Sequence, residues 1–181
     1  NARGGFESDC TVLRLAAGRG GFAQRPPEGR VRGLAAHYTF GSYCAQVVEL
    51  SVTPAAGTAP RRVTVHAVTC ALDCGLVVNR SGLEAQAQGG IIDGLGHAFF
   101  GAITIDRGRA VEGNFDRYRL IRHREAPRAI DVHVVPSTLR PTGFGEIAVP
   151  VIAPAIANAI AAATGQRLRR TPFLRDGYTL G

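Results

Sequence analysis

Glu146 is the one acidic residue between Asp131 and Asp176. It follows Gly143-Phe144-Gly145 and precedes the apolar run Ile147-Ala148-Val149. Two glycines ahead of it let the backbone turn and press against a ligand. A carboxylate held among apolar side chains is desolvated, which raises its pKa toward that of a general base. The same position also suits a glutamate at a helix start, where negative charge complements the helix dipole. Other chemistries find less support. His37, His66, His97, His123 and His133 show no HxH or HxxxH pairing and read as structural or solvent-facing. Neither a G-x-S-x-G elbow nor a Walker-type phosphate loop occurs. Cys70 and Cys74 are spaced C-x3-C, but zinc or an iron–sulfur cluster needs four compatible ligands. With Cys10 and Cys44 they read as small buried thiols.

The elements that must position Glu146 can be sketched from periodicity and turn residues. Residues 9–19 read as a short helix with Asp9 as N-cap, ended by Gly20-Gly21. A Pro- and Gly-containing connection fills 22–33. Leu34 to Val52 runs as strand material with a break at Gly41-Ser42, and a turn at 54–57 leads to a strand from Arg62 to Ala71. Those two long strands are expected to pair antiparallel. Leu83, Ala87, Ile91, Leu95 and Phe99 form an apolar helical stripe, with Gln86, Gly90, Gly94 and Ala98 as a second. Glycine costs a helix about 1 kcal/mol relative to alanine. Its repetition here implies close approach by a ligand or by a packed neighbour. A hairpin is expected over 102–114, an exposed charged stretch over 116–128, and a strand over 130–135. The glycine loop Arg140–Glu146 then runs into a helix from about Pro150 to Thr164, with Gly165 past its end. The fold class expected is α+β, antiparallel strands packed with two apolar helices. The division expected is 1–33, an N-terminal helix and linker continuing an upstream region, and 34–181, the main domain.

Composition narrows the function classes. The 181 residues carry a net charge of +7, borne by arginines that are densest at 117–124 and 167–170. No basic helix, finger spacing or aromatic-interleaved strand accompanies them, so the arginines read as solvated or interfacial and no nucleic-acid partner is expected. The apolar run from Val149 to Ala163 is broken by Pro150, Pro154 and Asn158, and no transmembrane segment is expected. The first ten residues carry no apolar core of a signal peptide.

Three stretches carry a resemblance. Pro141 to Ile160, with Gly143-Phe144-Gly145-Glu146 and Ala153-Pro154-Ala155, resembles the G-x-G-E-x-x-x-x-P-x-A-P-A segment of molybdenum hydroxylases. Asp73-Cys74-Gly75 to Asn79, followed by Gln86 to Gly96, is similar to a second segment of that family, and Gly41 to Leu50 is a weaker third. The three stand in the family's order and spacing. They identify the chain as resembling the C-terminal part of the molybdopterin-binding large subunit of the xanthine dehydrogenase/aldehyde oxidoreductase family, nearest the isoquinoline 1-oxidoreductase type. Gln88 departs from the pattern, since the family usually has an acid there.

The resemblance implies roles. Glu146 would be the general base, Gln86 a hydrogen-bond partner of the cofactor, and Thr142, Gly143, Phe144 and Gly145 the backbone against the pterin and its nucleotide tail. The helix glycines would admit the cofactor. The implied reaction hydroxylates an N-heteroaromatic or aldehyde with water-derived oxygen. The implied cofactor is molybdopterin, as molybdenum cytosine dinucleotide, shared with a companion chain, with electrons leaving through 2Fe–2S clusters on a partner. Expected partners are the rest of the large subunit, an iron–sulfur small subunit and, as candidate acceptor, a cytochrome. The alternative is a non-catalytic interaction or assembly domain that retains the fold. The chain lacks methionine, and Asn1 is expected to arise by proteolysis or truncation of a longer chain. Intact-mass analysis of the native protein should find sequence upstream of Asn1, and a methionine directly adjoining Asn1 would overturn this.

Overall fold

A computed structural model describes the backbone of residues 5–181 and the side chains of residues 10–181. The side chain of Asp9 and the chain start at Asn1 lie outside the described residues. The first helix, α1 (Gly5–Arg19), begins earlier than expected, so Asp9 sits within it instead of capping it. Strands β1 (Val31–Thr39) and β2 (Ser42–Thr53) then form an antiparallel hairpin. The expected break at Gly41-Ser42 falls at its turn, Phe40-Gly41, both at positive φ, with Ser42 opening β2. β1 thus runs across the division drawn at residue 33/34.

β2 pairs antiparallel with β3 (Arg61–Asp73), as expected, with a bulge between Glu49 and Leu50. After helix α2 (Arg80–Phe99) the hairpin is reduced to β4 (Ile105–Asp106) and β5 (Arg109–Ala110). Strand β6 (Ala129–Val134) lies parallel to β3, and β7 (Tyr178–Leu180), after helix α3 (Val149–Thr164), pairs parallel with the first residues of β3. The fold is α+β with the antiparallel β1-β2-β3 set at its centre and parallel pairing on the far edge of β3. No helix of the described residues is long and apolar enough to cross a membrane.

Alternation along β2 shows why the sheet needs helices on both sides. Tyr43, Ala45 and Val47 pack with Val12 and Ala16 of α1. Cys44 and Val48 face the larger core formed with α2 and α3. A strand buried on both faces can read as a continuous apolar run, without the polar alternation of a half-exposed strand.

Helices α2 and α3 pack on each other and on that second face. The stripe Leu83, Ala87, Ile91, Leu95 and Phe99 is buried as expected. Asn79 caps α2 by accepting a hydrogen bond from the Gly82 amide at 2.9 Å. The glycines of the second stripe serve helix packing. A methyl group on Gly94 would lie 2.5 Å from Ile152 Cγ2 and from the Val149 carbonyl oxygen, and one on Gly90 would meet Ala148 at 3.3 Å. These two residues therefore let α3 approach, which corrects the expectation that the cofactor explains them. Gly33 does the same beneath α3, where a Cβ would run into the Ala155 carbonyl and the Ala159 amide.

The densest arginines, at 117–124 and 167–170, are exposed as expected, and several arginines pair with acids. Arg30 and Arg32 pair with Glu49 at 2.8 and 2.7 Å, and Arg170 pairs with Asp176. The stretch 116–128 is not uniformly exposed, because Glu125 is buried. It is bonded by Arg119, whose guanidinium stacks over the Phe100 ring, and it accepts the Arg122 amide at 2.8 Å. A buried carboxylate is tolerable only with such partners. Cys44, Cys70 and Cys74 are buried thiols, in line with the sequence reading, while Cys10 is half-buried. Hydrogen bonding with Cys44 and full burial push the Cys70 thiol well up, and burial raises that of Cys74.

Two stability outcomes follow. Gly94→Ala should cost about 1–3 kcal/mol through overpacking, whereas Gly89→Ala, where a methyl meets nothing, should gain about 0.5–1 kcal/mol. Denaturant titration of the two variants checks the contrast. Glu49 gives the second. Burial opposes its charge, but the bonds from Arg30 and Arg32 outweigh burial and hold its carboxyl below the ordinary value of 4.5. A lowered folded pKa contributes stability above the unfolded value, which is lost as pH falls through the folded one. Glu49→Gln should lower the melting temperature at pH 7 and flatten its decline below about pH 4; an unchanged acid limb would refute it.

Candidate functional site

The loop that carries Glu146 is held from three directions. Asp73-Cys74-Gly75 forms a turn at the end of β3, with the Gly75 amide on Asp73 Oδ1 at 3.4 Å. Gly75 has φ +76°, and a side chain there would collide with the Arg140 carbonyl. From this turn Leu76 donates to the Leu139 carbonyl at 2.9 Å, and Cys74 accepts the Thr142 amide at 3.0 Å. The β1–β2 turn grips the next residues. Phe40 accepts the Gly143 amide at 3.0 Å. Ser42 Oγ lies 2.6 Å from Thr142 Oγ1 and donates to the Gly143 carbonyl at 2.6 Å. A Cβ on Gly143 would stand 2.7 Å from that of Phe40, so this glycine answers to the hairpin rather than to a ligand. Farther on, Gln46 Nε2 donates to the Ala148 carbonyl at 2.8 Å.

Between these grips the chain faces outward. Phe144 is half-buried against the main core and anchors the loop, and Ile147 is fully buried. Glu146 itself is exposed. That corrects the expectation of a carboxylate desolvated by this chain's apolar residues, because the apolar run after it turns inward while its own side chain points away. The helix-dipole reading also fails, since Ala148 is the N-cap of α3 and no acid stands in its first turn.

Gln86 reaches the same place from α2. Its side chain is exposed, and a methyl on Gly145 would touch its Nε2 at 3.5 Å. The structure thus gathers Gln86, Gly145 and Glu146, which sequence separates by some 60 positions, on one exposed edge. Among the described residues the amides of Phe144, Gly145 and Glu146 donate to no group of the chain. Three free backbone donors beside a side-chain amide suit an acceptor-rich ligand such as a pterin and its phosphates. Gly145 is exposed, and a Cβ there would meet only Gln86 Nε2 within 4 Å. No cluster of three or more His, Cys, Asp or Glu side chains forms among the described residues.

The sequence reading missed Ser42 and Gln46, both fully buried on β2. Their one sequence signal was a pair of polar residues four positions apart on the strand face that also carries Cys44, Val48 and Leu50.

Comparison with known proteins gives the family of the chain. The family described as molybdopterin cofactor-binding domain matches residues 17–127. The isoquinoline 1-oxidoreductase subunit beta of Brevundimonas diminuta is 36% identical over 111 residues, 61% of this chain and 14% of that protein. The membrane-bound aldehyde dehydrogenase of Gluconacetobacter polyoxogenes, whose name specifies pyrroloquinoline quinone, is 38% identical over 110 residues, again 61% of this chain and 14% of the relative. The crystal structure of quinoline 2-oxidoreductase from Pseudomonas putida 86 superposes with a TM-score of 0.56 at 26% identity, over 73% of this chain and 17% of that one. The chain therefore spans about one seventh of the length of the first two relatives. With the family profile covering more than half of its residues and the fold shared, this chain belongs to the molybdopterin cofactor-binding domain family.

Proposed function

We propose that this chain is the part of a molybdenum-dependent oxidoreductase that carries the general base, Glu146. The complete enzyme would hydroxylate an aldehyde or N-heteroaromatic substrate with water-derived oxygen. The observation that supports this most is the meeting of Gln86 with the Gly145-Glu146 corner, beside three unused backbone donors. The Gln86 amide and the amides of residues 144–146 would hold the molybdopterin, in its cytosine dinucleotide form, with Thr142 and Gly143 fixing the loop beneath it. When bound, that group supplies the two-electron oxidation. Glu146 then has one task, to accept the proton from the water-derived nucleophile. Its carboxylate is exposed and accessible for this. A companion part of the large subunit would close over the exposed edge and exclude water. An iron–sulfur subunit with 2Fe–2S clusters, and a cytochrome beyond it, would carry electrons away.

The test joins elemental analysis of the native complex with a Glu146→Gln variant. Molybdenum should be stoichiometric in both proteins, and turnover in the variant should fall about 10²- to 10⁴-fold, the usual worth of a general base. Full turnover in the variant would favour the alternative, a non-catalytic assembly domain that keeps the fold. Quinone in place of molybdenum would point instead to the chemistry in the name of the Gluconacetobacter relative.

A further inference from the structure

The stretch Gly41 to Leu50 contributes no residue to the exposed edge, yet it holds two polar side chains at full burial, Ser42 and Gln46. They stand on the same face of β2, four positions apart, which is about 13 Å along a strand. Ser42 binds Thr142 and the Gly143 carbonyl, and Gln46 binds the Ala148 carbonyl. Glu146 lies between those two attachment points. We propose that Ser42 and Gln46 are a pair of positioning residues that bracket Glu146, fixing both ends of its loop to a rigid strand.

Each bond is directional in a way that packing is not. Ser42 has one hydroxyl proton, given to the Gly143 carbonyl, so it accepts from Thr142 and thereby fixes two consecutive residues. Gln46 Nε2 donates to the Ala148 carbonyl at 2.8 Å and more weakly to Cys44 Sγ at 3.8 Å, while its Oε1, also buried, meets no partner among the described residues. An unpaired buried carbonyl works against stability, and a methionine or leucine would fill that volume without it. Packing alone therefore does not account for Gln46; the bond to Ala148 does. Between the two ties the chain folds through successive turns, the Ile147 amide donating to the Phe144 carbonyl at 3.5 Å and the Val149 amide to the Glu146 carbonyl at 3.0 Å. Phe144 and Ile147 pack into the core from these turns and Glu146 is exposed. Releasing either tie lets the carboxylate shift, and a displacement on the order of 1 Å at a reacting group can cost about 100-fold in rate.

This inference rests on Glu146 being the base, and the experiment separates the two. In the complete molybdenum enzyme, Ser42→Ala and Gln46→Met are made singly and each with Glu146→Gln, and Val48→Ala serves as a control on the same strand face. Ser42→Ala removes one atom and Gln46→Met keeps the volume, so the fold should survive in both. Each single variant should keep its molybdenum and KM while kcat falls about 10- to 100-fold. Hydrogen exchange of the 142–149 segment should quicken about tenfold in each, while Val48→Ala lowers the melting temperature and alters neither. In single-turnover reduction on the Glu146→Gln background, the loss from each tie should shrink below about twofold, because the group it positions is gone. Equal losses on both backgrounds, or unaltered exchange at 142–149, would overturn the pair as positioning residues and leave the base reading standing. Undiminished turnover in Glu146→Gln alone would overturn the base reading, and with it the catalytic role of the pair.

Discussion

Helix α3 lies at backbone contact distance from two neighbours, and most of the molecule is arranged around that fact. Ala155 and Ala159 settle on Gly33 of β1, and Val149 and Ile152 settle on Gly94 of α2. No residue with a Cβ fits at either place without moving backbone. Close contact of this kind gives dense packing and leaves a helix few ways to shift. The start of α3, and so the loop that leads into it, inherits that rigidity. Glycine in a helix interior is locally unfavourable, and here the local cost is offset by the contact it permits.

The polar interior works by the same economy of position. Glu125 is buried because Arg119 and the Arg122 amide satisfy it, and Arg119 in turn lies across Phe100 at the end of α2. That cluster fastens the long 101–128 segment, poor in regular structure, to the core. Glu49 does similar service on the α1 side of the sheet, where Arg30 and Arg32 tie the connection after α1 to β2. Arg32, largely buried, and Arg119, stacked on Phe100, thus serve the fold although the chain's arginines are mostly exposed. The exposed edge with Gln86 and Glu146 is left to face whatever completes the site.

The family is shown by residues 17–127, and the reading of the edge rests on its geometry. The chain is a small fraction of the length of its relatives, and the surface around residues 144–146 offers donors that the chain itself does not use. Under the proposed function a ligand held there would lie between Gln86 of α2 and the main-chain amides of the loop, and other parts of the enzyme would complete the enclosure.

Local rules were enough for several elements. The four-residue repeat of α2, Pro150 and Gly165 at the ends of α3, and the antiparallel pairing of β2 with β3 were all legible, because each depends on neighbours in sequence. Glu146, Gln86 and the glycine loop were singled out in the sequence through a family resemblance, and only the fold brings them to one edge. What only the tertiary structure decided depends on contacts between distant residues. Periodicity could not tell that Gly90 and Gly94 face α3, nor that the break at Gly41-Ser42 falls at a turn gripping a loop 100 residues away. It could not place Glu146 outward, since an apolar run beside a carboxylate can bury it or simply fold beneath it. Nor could it distinguish parallel from antiparallel pairing for β6. Side-chain chemistry is written in the chain, but burial and partner are properties of the packed fold, where the direction of each side chain is settled by what lies across from it.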